Sequence, residues 1–177
     1  MLHKLPIIGV MGASKARHDE LTQPLGSAIA KAGYHLLTGG GTGVMEAVSQ
    51  SFTATQPRKG LCIGVIPMSG VGDAYKVMPD YPNPYVELPI QSHLGIYDGH
   101  DPQQISRNYI NILTSHVVVI CPGSKGTRNE LSLAQQFKKP FILFGNEAQF
   151  AEFPSGLRRT DDLHQVMLYI QNNLSLS

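Results

Sequence analysis

The chain has 177 residues, 42% of them hydrophobic, and its 14 basic and 13 acidic side chains leave a formal net charge of +1. That length suits one compact domain with a real core, so residues 1–177 are read as a single domain. The balanced, scattered charge argues against nucleic-acid binding by phosphate electrostatics, and no run approaches the roughly 20 apolar residues of a membrane span.

Met1-Leu2-His3-Lys4-Leu5-Pro6 lacks the apolar region of a signal peptide, which predicts a cytoplasmic protein. The seven histidines show no ligand spacing, and no metal site is expected. Cys62 and Cys121 each sit inside an apolar run and read as small buried hydrophobes, although Cys121 also directly precedes a candidate ligand loop.

In chain order, Ile7–Met11 reads as a buried strand. It is followed by Gly12-Ala13-Ser14-Lys15, a first βα turn in which Gly12 and Ser14 are candidate nucleotide contacts and Lys15 is expected in solvent. A helix is predicted over 18–32, with Leu21, Leu25, Ile29 and Ala32 near 3.6 spacing and Gly33 as its stop. The strand Tyr34–Thr38 leads into Gly39-Gly40-Gly41-Thr42-Gly43 and a helix over 43–52. Four glycines in five positions let backbone amides approach an anion at a helix N-terminus. The same glycines also suit a tight turn where a helix packs close on the sheet. The turn matches neither the Walker nor the G-x-G-x-x-G pattern.

Cys62–Ile66 is the third strand, and Val86–Leu88 is a weaker candidate. Between Pro67 and His100 the rhythm breaks, with Pro79, Pro82, Pro84 and Pro89 among several glycines. Such a loop serves as a lid, a dimer contact or a plain surface excursion. A helix is predicted over 101–115, opening with Asp101 as N-cap and Pro102 in its first turn. It contains Arg107-Asn108, and Arg107 reads either as a surface arginine, the simpler account from the sequence alone, or as a fork for phosphate or carboxylate. Val117–Cys121 then runs into Pro122-Gly123-Ser124-Lys125-Gly126-Thr127-Arg128-Asn129-Glu130. In this turn Thr127 is an N-cap or phosphate donor and Lys125 a cation. Glu130 either accepts sugar hydroxyls or closes a capping box with Thr127. A helix over 127–138, the strand Phe141–Phe144 and a helix over 160–174 complete the chain. The order implies an α/β, doubly wound (Rossmann-like) parallel sheet of about six or seven strands with helices on both faces. Both glycine turns then lie on the ligand-binding edge.

Gly39–Glu46 together with Pro122–Glu130 resembles the turns of the Lonely Guy superfamily, once called lysine decarboxylase-like. Gly43–Glu46 (G-V-M-E), Asn83–Val86 (N-P-Y-V) and Arg107-Asn108 are most similar to its molybdenum-cofactor carrier branch. The superfamily's enzymes hydrolyse the N-glycosidic bond of cytokinin riboside 5′-monophosphates. By resemblance, Arg107, 15 residues before Pro122, and Glu130 are the implied catalytic pair, and Gly123, Gly126 and Thr127 the phosphate cradle. Ser124 replaces the second glycine of P-G-G, Asn108 replaces a basic residue, and the segment between Gly95 and Arg107 is longer than in the carrier branch.

Two functions are therefore expected. One is a nucleoside 5′-monophosphate phosphoribohydrolase requiring no cofactor, with AMP-like substrates foremost. The alternative is a non-catalytic binder or carrier of a phosphorylated cofactor such as molybdopterin. The resemblance also implies a homodimer or tetramer.

Overall fold

The computed structural model describes residues 4–70, 74–101 and 104–175. Its strands are β1 (Ile7–Met11), β2 (His35–Thr38), β3 (Cys62–Ser69), β4 (Lys76–Val77), β5 (Leu88–Ser92), β6 (Val117–Ile120), β7 (Phe141–Phe144) and β8 (Arg159–Thr160). The helices are α1 (Asp19–Lys31), α2 (Val44–Ala54), α3 (Asn108–Thr114), α4 (Lys125–Gln136) and α5 (Leu163–Leu174).

The strands form one sheet in the order β4-β3-β2-β1-β6-β7-β8, with β5 also paired to β3. Every pairing is parallel except that of β3 with β4. This is the mixed α/β, Rossmann-like architecture implied by the sequence. The central strands are apolar runs because both faces are covered. Ile8, Val10, Leu36, Val117, Val119, Ile142 and Phe144 pack against α1, α2 and α5. Met11, Leu37, Val65, Val118, Ile120 and Leu143 meet Ile112 of α3, Leu131, Leu133 and Ala134 of α4, and Phe150 and Phe153. Both cysteines are buried free thiols. Burial pushes Cys121 up to about 12, so the residue ahead of the ligand loop is held as a thiol.

The chain winds outward from β1 through β2 and β3 to β5, then returns to β6 on the other side of β1. The topological switch therefore lies between β1 and β6. Their carboxyl ends are joined by Cys121 N–H to Met11 O (2.8 Å) and Ala13 N–H to Pro122 O (3.0 Å).

Several boundaries differ from the expectation. The helix predicted from Asp101 begins only at Asn108. Asp101 therefore does not stand at the head of that helix, and Pro102 lies outside the described residues. The chain is instead anchored by Arg107 N–H to Gly95 O at 3.1 Å. The last strand candidate of the long segment is displaced, from 86–88 to Leu88–Ser92. Thr160 belongs to β8 rather than to the final helix, which Asp162 caps by accepting from His164 N–H at 2.8 Å. α4 starts at Lys125, so Thr127 lies inside its first turn and forms neither an N-cap nor a capping box with Glu130.

Candidate functional site

The two glycine turns occupy different environments. At Gly39–Gly43 the protein packs against itself. A Cβ on Gly40 would come 2.4 Å from the Ile66 side chain, and one on Gly41 would come 2.7 Å from the Tyr81 ring. Gly43 has φ +67 and lies against the backbone of Ala13 and Ser14. Thr42 Oγ1 donates to Ser14 O at 2.6 Å, and Val44 N–H of α2 donates to Ala13 O at 2.9 Å. The α2 N-terminus is thus turned onto the β1 turn.

The α4 N-terminus opens onto a cleft of about 260 Å³. Its floor and walls are Gly12, Ala13 and Ser14 after β1, Ser124, Lys125, Gly126, Thr127 and Glu130 of the β6–α4 turn, and Met45, Tyr81, Ile96, Tyr97, Arg107 and Asn108. A helix's first-turn N–H groups lack intrahelical acceptors and carry the positive end of the dipole, which suits an anion. Gly126 meets nothing within 4 Å of an added Cβ, whereas Gly123 is closed by Thr127 Oγ1, 2.0 Å from such a Cβ. Gly123 keeps the turn tight, and Gly126 leaves open space in front of it.

Arg107 and Glu130 both reach this cleft, and both are buried, at 5% and 8% exposure. Nη1 of Arg107 donates to Gly39 O and, at 2.8 Å, to Val65 O; Nη2 donates to Tyr81 Oη at 3.2 Å. The guanidinium also lies over the Tyr81 ring, 5.1 Å from its centroid, and Nε has no partner. Burial lowers the Arg107 pKa, while Tyr81 and Glu130 oppose that shift. Burial also raises the Glu130 carboxyl to about 7, against the pull of Arg107 and the neighbouring Asn111 side chain. Asn108 donates from Nδ2 to Asn129 Oδ1 at 3.0 Å, bracing α3 on α4.

Of the residues singled out in the sequence, the cleft brings together Gly12, Ser14, Ser124, Lys125, Gly126, Thr127, Arg107 and Glu130. Gly39–Gly43 stands behind it, and Gly123 faces an adjoining hollow with Lys15 and His18. Sequence reasoning missed Tyr81, Ile96 and Tyr97. Their only signal was their place in a proline-rich segment at the sheet's ligand edge. Asn83 fixes that segment by donating from Nδ2 to Gly41 O at 2.8 Å and from its N–H to Gly40 O at 2.8 Å. Among the described residues, no group of three or more His, Cys, Asp or Glu is arranged to hold a metal ion. No helix among them is long and apolar enough to cross a membrane.

The chain is thus a Rossmann-like α/β protein with a polar cleft at its switch point, opening onto a helix N-terminus, the position at which open α/β sheets bind their ligands. The chain belongs to the SLOG cluster4 family, whose model matches residues 5–171. Among solved structures it resembles the molybdenum cofactor binding protein from the phototrophic bacterium Rippkaea orientalis. That match has 29% identity and a TM-score of 0.76, and covers 98% of this chain and 99% of that one. It also resembles the molybdenum cofactor carrier protein from Chlamydomonas reinhardtii, at 30% identity, with a TM-score of 0.72 and coverage of 97% and 99%. No curated protein matches the chain.

Proposed function

We propose that the protein binds and carries a phosphorylated small molecule, of the molybdopterin or nucleotide class, in the cleft between the β1 turn and α4. The observation that carries this reading is full-length similarity to two molybdenum cofactor binding or carrier proteins. It is joined here to a cleft whose polar end is the α4 N-terminus. The residues fit such a ligand. The Lys125–Thr127 amides and the Lys125 ammonium would take the phosphate. Tyr81, Tyr97 and Ile96 supply aromatic and apolar wall for a planar ring, and the open space at Gly126 allows close approach. The molybdenum cofactor would supply redox chemistry only after delivery to another protein. This chain's part is to bind, orient and shield it.

Native mass spectrometry of the purified protein with a molybdopterin-type ligand, and separately with AMP, tests the reading. A one-to-one complex whose ligand mass stays intact for hours is expected. Release of free base from AMP by wild type but not by Glu130→Ala would instead favour the hydrolase reading. That second reading is supported by Arg107 and Glu130 sharing one cleft. In it, Glu130 would face the ribose and stabilise its developing positive charge.

A homodimer or tetramer belongs to the same proposal. Leu88 and Ile90 of β5 are 44% and 38% exposed on a strand whose recorded pairing is with β3, and Ile90→Glu is expected to shift the mass in light scattering to that of a smaller species. Buried free thiols suit the reducing cytoplasm proposed as the location.

A further inference from the structure

Glu130 is out of place beside an anion site if it is charged. It lies on α4 three residues beyond Thr127, and side chains on a helix lean toward its N-terminus. Its carboxyl therefore leans toward the first-turn amides, and it lines the same cleft as they do. A phosphate dianion seated on those amides would face this carboxylate within the same cleft.

The surrounding groups do little to relieve that repulsion. From the entry to α3 comes Arg107, whose hydrogen bonds go to Gly39 O, Val65 O and Tyr81 Oη with Nε left unpartnered; its charge favours the Glu130 carboxylate, but burial outweighs it. Asn111 of α3 contributes a neutral amide, and neither of its polar side-chain atoms makes a hydrogen bond of standard geometry. From the long segment come the phenols Tyr81 and Tyr97, from α4 itself Lys125, and from the β1 and β6 turns the hydroxyls of Ser14 and Ser124. Among the described residues, then, Glu130 has a single cationic neighbour in depth, and that one is shared.

We infer that Glu130 meets the ligand as a neutral carboxylic acid, and that the protein takes up one proton from solvent when a phosphate monoester settles on the α4 amides. The inference rests on the binder reading above and changes the role of Glu130 within it. The residue becomes an O–H donor that selects for ligand anions, where a carboxylate would only accept. Protonation removes the repulsion and adds a donor, so affinity and proton uptake are linked. Even before a ligand arrives the buried carboxyl is half protonated near neutrality. A neighbouring anion pushes that balance further toward the acid.

Isothermal titration with AMP tests this at pH 6.5, 7.5 and 8.5, each in two non-phosphate buffers of different ionisation enthalpy. The phosphate's own second ionisation lies near 6, and the ordinary ranges of lysine and tyrosine lie above this window. Wild type should take up close to one proton per AMP at pH 8.5, and its Kd should weaken about tenfold or more between pH 6.5 and 8.5. Glu130→Gln, neutral and still a donor, should bind with little proton uptake and a nearly flat Kd. Carboxyl carbon NMR of glutamate-labelled wild type should show the Glu130 midpoint moving up on AMP addition. Binding with equal proton counts and equal pH slopes in the two proteins overturns the inference and leaves the binder reading standing. AMP binding to neither protein at any pH removes the nucleotide arm of that reading and this inference together.

Discussion

Arg107 and Gly39 compete for one volume: Nη1 of Arg107 donates to the Gly39 carbonyl, and a Cβ at position 39 would lie 2.2 Å from that same nitrogen. The glycine is needed for proximity. The side chain of Arg107, a residue 5% exposed, must reach two carbonyls, Gly39 just past β2 and Val65 within β3, past the backbone of the turn. Gly39→Ala is expected to cost about 1–3 kcal/mol in urea unfolding through overpacking. Arg107→Met strands the Gly39 and Val65 carbonyls and should cost a further ~1–3 kcal/mol or more. Because the arginine is what the new methyl would strike, the double variant should fall short of the sum by about 1 kcal/mol or more. Strict additivity would show that the two residues do not contest the space.

That relationship marks the limit of what was legible in the sequence. The sheet could be read because β1, β2, β6 and β7 are short apolar runs followed by small-residue turns, and both faces are indeed covered. The turn at Gly39–Gly43 could be read as a place of close approach. Spacing does not say whether a ligand or a guanidinium approaches, however, and of the two readings left open it is the packing turn that the contacts describe. Residue type alone marks Arg107 as a fork for an anion, and only the resemblance gives it a role in the site, since its neighbours at Gly39, Val65 and Tyr81 are between 26 and 68 residues away in the chain. Tyr81 and Tyr97 lie in a segment with no periodicity, so no pattern pointed to the cleft wall. The start of α3 was misplaced because Asp-Pro is a good helix opening locally, whereas a tertiary hydrogen bond from Arg107 to Gly95 sets the chain's path there.

Stability should carry the signature of Glu130. Its carboxyl is raised from 4.5 to about 7 in the folded protein, chiefly by burial. A group raised above its unfolded value favours the fold in full below that value and loses the contribution as pH rises through the folded one. Relative to Glu130→Gln, wild type should therefore lose stability between pH 4.5 and 7 and level off above. The size of the loss is on the order of 3 kcal/mol. The difference between the two proteins' urea midpoints at pH 5 and pH 8 measures it, with other titrating groups cancelling. A constant difference would mean that the carboxyl stays solvated.

Asn83 pins the segment that carries Tyr81. Besides its two bonds to the glycine turn, its Oδ1 accepts from Tyr85 N–H at 3.1 Å, and the residue is 4% exposed. Asn83→Ala leaves the Gly41 carbonyl without this donor and should cost about 1–3 kcal/mol. Hydrogen exchange at Tyr85 should accelerate more than exchange in β1 or β6, since only the local anchor is lost. Uniform acceleration across the sheet would instead make Asn83 part of the global core.

Gly126 offers the sharpest separation of stability from binding. It is the second residue of α4, its φ lies outside the left-handed region, and a Cβ there meets no protein atom within 4 Å. An alanine should therefore be accepted by the fold and, by lowering backbone entropy in the unfolded chain, should stabilise it by about 0.4–1 kcal/mol. The same methyl would stand in front of the first-turn amides, where close approach of a phosphate depends on a bare backbone. AMP or molybdopterin-type ligand affinity should drop about tenfold or more, while the thermal midpoint without ligand rises. If Gly126→Ala raises the midpoint and leaves affinity unchanged, the anion does not sit on the α4 amides, and the ligand must use another part of the cleft.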